Sequence, residues 1–124
     1  MNIVDSSGWL AYFADEPNAK NFLTPLGDSA LLVVPTLTIY EVFKVILRET
    51  SENEALQAAV AMQKGTVVDL STPLAIAASK LSLEHNLPMA DSIILATARE
   101  FNAILWTQDS DFKNMSNVKY FPKK

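Results

Sequence analysis

Apolar residues fall into short continuous runs separated by longer stretches in which they recur every three or four positions, and the two patterns alternate along the chain. Asn2 to Asp5 reads as a short buried strand, after which Ser6 or Ser7 caps a helix carrying Trp9, Leu10, Tyr12 and Phe13. Pro17 opens a second helix through Ala19, Phe22 and Leu23, which Pro25 and Gly27 break. Leu31 to Val34 is an unbroken apolar run between Asp28-Ser29 and Pro35, the pattern of a strand covered on both faces. Thr36 or Thr38 caps the next helix, which runs to about Arg48; residues 53–64 form another, with Gly65 as its C-cap. Thr66 to Leu70 is a third strand. Ser71 or Thr72, with Pro73, starts a helix reaching His85, and Asn86-Leu87-Pro88 stops it. A helix over Ala90 to Phe101, a strand at Ile104 to Thr107 and a candidate fifth strand at Val118 to Phe121 complete the series. Strands alternating with helices predict an α/β fold of three layers, a mostly parallel sheet of four to five strands flanked by helices. No repeat or linker interrupts the series, so one domain is expected over residues 1–124.

Composition narrows the chemistry. The chain has no cysteine, which excludes disulfides and thiolate metal sites, and its one histidine, His85, excludes a multi-histidine zinc site. The opening residues lack a charged segment followed by a long apolar one, and the run Ala30 to Pro35 is too short to span a bilayer, so a cytoplasmic location without membrane attachment is expected. The net charge of −4 argues against nucleic acid as a partner, unless several acids ligate a cation that reverses the local sign.

Four acids occupy positions where that exception applies: Asp5, Glu41, Asp91 and Asp109. Asp5 ends the first strand, Asp109 follows the fourth by two residues, and Asp91 lies in the first turn of a helix beside Pro88. Parallel sheets bind ligands at the carboxyl ends of their strands. Carboxylates gathered there repel one another strongly enough to require a cation, and hard oxygen ligands suit Mg²⁺ or Mn²⁺. On the helix after Pro35, Glu41 shares a stripe with Lys44 and Arg48 while Ile39, Phe43, Ile46 and Leu47 cover the rest. Glu41 is therefore expected to face a cleft, with Lys44 and Arg48 placed to meet substrate phosphates.

The same residues carry a resemblance. Ile3-Val4-Asp5-Ser6-Ser7-Gly8-Trp9-Leu10 resembles the opening of PIN domains, and Thr38-Ile39-Tyr40-Glu41-Val42 resembles their helix with an internal glutamate. Leu87-Pro88-Met89-Ala90-Asp91-Ser92-Ile93-Ile94 is similar to the aspartate that opens their alanine-rich helix, and Thr107-Gln108-Asp109-Ser110-Asp111-Phe112 to their closing turn. The blocks are in family order, and at this length the chain resembles VapC-type toxins of toxin–antitoxin pairs. Ser6, where threonine is frequent, and Trp106, where a small aliphatic is usual, are the departures. The resemblance implies an Mg²⁺- or Mn²⁺-dependent endoribonuclease, commonly a homodimer, inhibited by a cognate antitoxin. It carries metal-site roles onto Asp5, Glu41, Asp91 and Asp109.

In the mechanism expected from this, Asp5 and Asp91 hold the principal ion, while Asp109 and Glu41 complete its shell, position a second ion or take a proton from water. Thr107 and Ser6 orient these carboxylates, and Asp111 engages in a local hydrogen bond beside them. Plainer explanations exist for each acid: a helix cap for Asp5, a dipole partner for Asp91, turn residues at Asp109 and Asp111, and an ion pair of Glu41 with Lys44. Two other functions compete. A catalytically inactive binding module of the same fold would have lost an acid, and none is lost. A signalling receiver domain would use Asp69 after the third strand as phospho-acceptor, but it needs a second acid beside Asp5 and a lysine near the last strand, and has neither.

Overall fold

The apolar runs become five strands, β1 (Asn2–Val4), β2 (Leu32–Pro35), β3 (Thr66–Val68), β4 (Ile104–Thr107) and β5 (Val118–Tyr120), in a computed structural model that describes residues 1–124. Their order across the sheet is β3-β2-β1-β4-β5, and every neighbouring pair is parallel. Parallel neighbours need crossovers, and six helices supply or extend them: α1 (Ser6–Phe13), α2 (Leu23–Leu26), α3 (Thr36–Glu49), α4 (Glu52–Met62), α5 (Thr72–His85) and α6 (Met89–Glu100). Alternation along the strands divides the interior in two. Val4, Val34 and Trp106 pack with Trp9, Val42 and Met62 of α1, α3 and α4. Ile3, Val33 and Leu105 point the other way, onto Leu74, Ala78, Ile94 and Ala98 of α5 and α6. The result is the expected helix–sheet–helix sandwich, with a sheet that is wholly parallel.

The chain builds leftward from β1 to β2 and β3, then returns to place β4 on the other side of β1. The carboxyl ends of β1 and β4 therefore border a topological switch point, where the flanking connections diverge and leave a crevice. This order also removes the receiver reading. Receivers use the order 2-1-3-4-5, which sets the third strand beside the first; here β2 separates them, and Asp69 follows an edge strand remote from Asp5.

Several local expectations change. Neither Ser6 nor Ser7 caps α1; Asp5 does, its side chain accepting from Gly8 N. No side chain caps α3, which begins directly after Pro35. The expected second helix is a 3₁₀ turn at Ala19–Phe22 followed by the single turn α2, and Pro25 lies inside that turn instead of breaking it. At its third position an N–H would lack an intrahelical acceptor in any case, so proline costs nothing there. Gln63, not Gly65, is the C-cap of α4, and no glycine has a positive φ. Gly65 is instead required by proximity: a Cβ there would lie 2.9 Å from the carbonyl oxygen of Leu32.

The C-terminal segment is tied to the sheet through Trp106. Its ring stacks on Phe121 at 6.1 Å, carries the Lys119 ammonium 4.4 Å from its centroid, and donates through Nε1 to Asn2 Oδ1 at 2.9 Å. Among the helices, none is long and apolar enough to cross a membrane.

Gly8 lets the first turn of α1 press onto β1, since a Cβ there would come within 2.5 Å of Val4 Cγ1 and 2.8 Å of Phe22 Cε1. Gly8→Ala gains roughly 1 kcal/mol of helix propensity. Overpacking outweighs that gain, and the variant should lose about 1–2 kcal/mol net in urea unfolding. An equal or higher midpoint would show that α1 can move outward freely.

Candidate metal centre

Asp5 is the last residue before α1 and only 2 % exposed, so its carboxylate has exchanged water for protein donors. Oδ1 accepts from Ser7 Oγ at 2.7 Å and from Gly8 N at 3.0 Å, and Oδ2 accepts from Thr107 Oγ1 at 2.6 Å. Thr107 in turn accepts the Asp109 amide at 2.9 Å, so one buried hydroxyl joins the ends of β1 and β4 and aligns two of the acids. Burial pushes the Asp5 carboxyl above its ordinary range; the three donors oppose that shift and the charge of Asp109 adds to it.

Asp91 enters from the first turn of α6, and Asp109 and Asp111 from the turn after β4. One oxygen from each of these three carboxylates lies within 4.8 Å of the others. The Asp91 carboxyl is pushed up to about 8, first by burial and then by Asp111, with which it shares a hydrogen bond, and by the charges of Asp109, Asp111 and Asp5. Every charged group acting on it is another acid. Glu41, on the inner side of α3, keeps Oε1 buried without a partner. Burial raises its pKa, and so do Asp5 and Asp109; only the neighbouring Ser6 hydroxyl opposes them. A crowd of half-buried carboxylates, one oxygen unpartnered and none offset by a basic side chain, fits a hard divalent cation.

A family model for the PIN domain matches residues 3–118. The chain belongs to the PIN domain family. No curated protein sequence matches it, but solved structures do. A toxin–antitoxin complex from Klebsiella pneumoniae contains a chain 22 % identical, superimposing with a TM-score of 0.84 over 98 % of this chain and 99 % of that one. VapC20 of Mycobacterium tuberculosis, a toxin that cleaves the sarcin–ricin loop, is 17 % identical with a TM-score of 0.77 over 94 % and 95 %. VapBC2 of Rickettsia felis, bound to a promoter DNA fragment, is 15 % identical with a TM-score of 0.75 over 99 % and 98 %. At these identities the likeness is one of fold.

Within this PIN domain, of the four acids singled out in the sequence, Asp91 and Asp109 lie together with Asp111, Asp5 is joined to the Asp109 amide through Thr107, and the charges of Asp5 and Asp109 act on Glu41. Asp111 stands differently from its expected role. Its amide donates to Asp109 Oδ1 at 2.9 Å, which is a local hydrogen bond, but its carboxylate faces Asp91 and Asp109 as a member of the cluster. Ser7, not Ser6, is the serine that donates to Asp5. Lys44 and Arg48 are exposed on α3, apart from the acids: Lys44 stands 5.8 Å above the Tyr40 ring instead of pairing with Glu41, and Arg48 Nε contacts Glu49 at 3.1 Å. Gln108, unremarked in the sequence, is 6 % exposed and hydrogen-bonded to Ser7. The one available signal was its place between Thr107 and Asp109. Ser6, Ser7 and Gln108 also line a groove of about 860 Å³ between α1, α3 and α4, whose charged lining residues are Glu16, Glu49, Glu54 and Lys123.

The raised Asp91 has a consequence for stability. The folded protein retains this proton up to about pH 8, whereas the unfolded chain releases it near the ordinary 3.8, so protonation favours folding and that contribution is lost as pH rises through the window. In EDTA, urea unfolding should show stability falling from pH 5 to pH 8, and Asp91→Asn should flatten the slope and be the more stable protein at pH 8. A slope unchanged by the substitution would place the proton elsewhere.

Proposed function

We propose that this PIN domain is an Mg²⁺- or Mn²⁺-dependent endoribonuclease, the toxin of a toxin–antitoxin pair, acting in the cytoplasm. The observation that carries the reading is the gathering of Asp91, Asp109 and Asp111, one oxygen of each within 4.8 Å of the others, with no basic side chain paired to them. A site in that state is built for a cation that is a separate component. In this reading Asp5, Asp91 and Asp109 hold the ion, with Asp111 contributing an oxygen and Glu41 completing the set. When bound, such an ion lowers the pKa of an attacking water and neutralises charge on the phosphoryl oxygens.

The chain's own groups supply the rest. Thr107 and Ser7 fix the Asp5 oxygens, so the ligand geometry exists before substrate arrives. Glu41 Oε1, buried and unpartnered, accepts the proton of the attacking water. Lys44 and Arg48 lie farther along α3 than Glu41 and meet the RNA backbone as it leaves the site, giving an acidic chain a local cationic path. Attack by water leaves a 3′-hydroxyl and a 5′-phosphate.

Partners follow from two surfaces. The groove beside Ser6 and Ser7 combines apolar lining at Leu10 and Ile46 with three glutamates, Glu16, Glu49 and Glu54, against one lysine, Lys123, which suits an antitoxin segment of apolar and basic side chains. A second groove of about 490 Å³ along α5 is almost wholly apolar, flanked by Leu83 and Met89 at 88 % and 73 % exposure, and suits a homodimer.

The deciding experiment is cleavage of a mixed tRNA, rRNA and mRNA panel with Mn²⁺, Mg²⁺ or EDTA, with Asp91→Asn purified identically. Metal-dependent cutting that the variant lacks is expected, with kcat lower by at least about 100-fold, and a co-purified partner should suppress it. Equal cutting by both proteins, or none under any condition, would leave an inactive binding module. Light scattering at micromolar concentration should give twice the mass of the chain, and Leu83→Glu should give the monomer. A monomeric parent would remove the α5 interface.

A further inference from the structure

We propose that Gln108 is a positioning residue that holds Ser7, and through it the Asp5 carboxylate, in the geometry the cation needs. The inference rests on the metal reading of the acid cluster and goes one step behind it. Gln108 grips Ser7 at two points: its backbone N–H donates to Ser7 Oγ at 3.2 Å, and its side-chain Nε2 donates to Ser7 O at 3.1 Å. A serine hydroxyl has one hydrogen, and Ser7 gives it to Asp5 Oδ1 at 2.7 Å. The N–H of Gln108 reaches the remaining lone pairs of that oxygen and so fixes the direction in which the hydrogen points.

The orientation of the Gln108 amide is itself determined. Oε1 accepts from Asn18 Nδ2 at 3.0 Å, and Asn18 spends its other amide hydrogen on Pro122 O at 2.9 Å while Oδ1 accepts from Asn21 at 3.1 Å. Turning the Gln108 amide over would set oxygen against the Ser7 carbonyl and nitrogen against the Asn18 amide, so the network admits one arrangement. Asn18 and Gln108 are 2 % and 6 % exposed, and water cannot replace these bonds readily. The pair thus joins the loop after α1, the start of α1, the end of β4 and the C-terminal segment. On either side of Gln108, Thr107 bonds Asp5 and Asp109 belongs to the cluster. Gln108 therefore acts beside Thr107, holding the Ser7 side of Asp5 while Thr107 joins Asp5 to the Asp109 amide.

The test uses Gln108→Met, which keeps length, volume and the backbone N–H on Ser7 Oγ and removes the side-chain bonds to Ser7 O and Asn18, so it reads the side chain's share of the clamp. In calorimetric titration its Mn²⁺ dissociation constant should rise about 10- to 100-fold, with KM for RNA unchanged. Ser7→Ala should show a comparable loss, and the double variant no more than either alone, because both act on the same carboxylate. In the metal-free protein, the Gly8 amide, which donates to Asp5 Oδ1, should exchange with solvent about tenfold faster in Gln108→Met. Mn²⁺ affinity within about twofold of the parent, or additive losses in the double variant, would overturn the proposal. A parent that takes up no Mn²⁺ would sink the metal reading itself; Gly8 exchange then decides the positioning role alone, and an unchanged rate refutes it. If Gln108→Met does not fold, Asn18→Ala releases the clamp while leaving Gln108 in place, and unchanged Gly8 exchange there counts against the proposal equally.

Discussion

Carboxylates held together against their own repulsion are the constraint around which this chain is arranged. Asp5 is taken out of water at the end of the central strand, which is costly unless the charge is hydrogen-bonded. Ser7, Gly8 and Thr107 meet that cost, and their bonds add to the ladder that already joins β4 to β1. Asp91 has no such compensation. It is surrounded by acids, and the folded chain keeps its proton where a free aspartate would have lost it. One side of the site is therefore preorganised and the other side under electrostatic stress, a combination that a bound cation would relieve.

The sheet order explains why such a site can exist here. With β1 between β2 and β4, the helices after β1 and β2 lie on one face while α5 and α6 lie on the other. Glu41 arrives from the first layer, Asp91 from the second, and Asp5 and Asp109 from the sheet between them. Each stands on an element whose packing is determined elsewhere, by Val42 on α3 and by the run from Ser92 to Ala98, buried throughout, on α6. The rigidity of the acids is thus inherited from two hydrophobic cores that contain no charged residue.

Much of this was legible in the residues. The apolar runs give strands buried on both faces at Leu32–Pro35 and Ile104–Thr107, although Leu31, expected in the first of them, ends a 3₁₀ turn and is exposed, and Asn86, at a φ of 53°, ends α5 as expected. Reading failed where two mechanisms produce one signal. Ser6 and Ser7 look like helix caps, but the aspartate before them caps better while also serving the site, which frees Ser7 to bond it. Gly65 looks like a left-handed C-cap and is instead a point of close approach between the turn before β3 and β2. Asp111 has the spacing of a turn residue and makes the turn's hydrogen bond through its amide, leaving its carboxylate for the cluster. Local propensity sees the backbone role in each case and has no access to what the side chain meets across the fold.

The sequence by itself determined the alternation of strand and helix, the parallel character of the sheet and the places of Asp5 and Asp109 at strand ends, because hydrophobic periodicity and strand-end position are properties of short segments. Only the tertiary structure decided that Thr107 bonds both Asp5 and the Asp109 amide, that Asp91 meets Asp111, that Asp69 stands apart beyond β2, and that Gln108 and Asn18 are buried against each other. These depend on strand order and on contacts between residues as many as 102 positions apart. Pairings of that range follow from how whole layers pack, and no local pattern of residues encodes them.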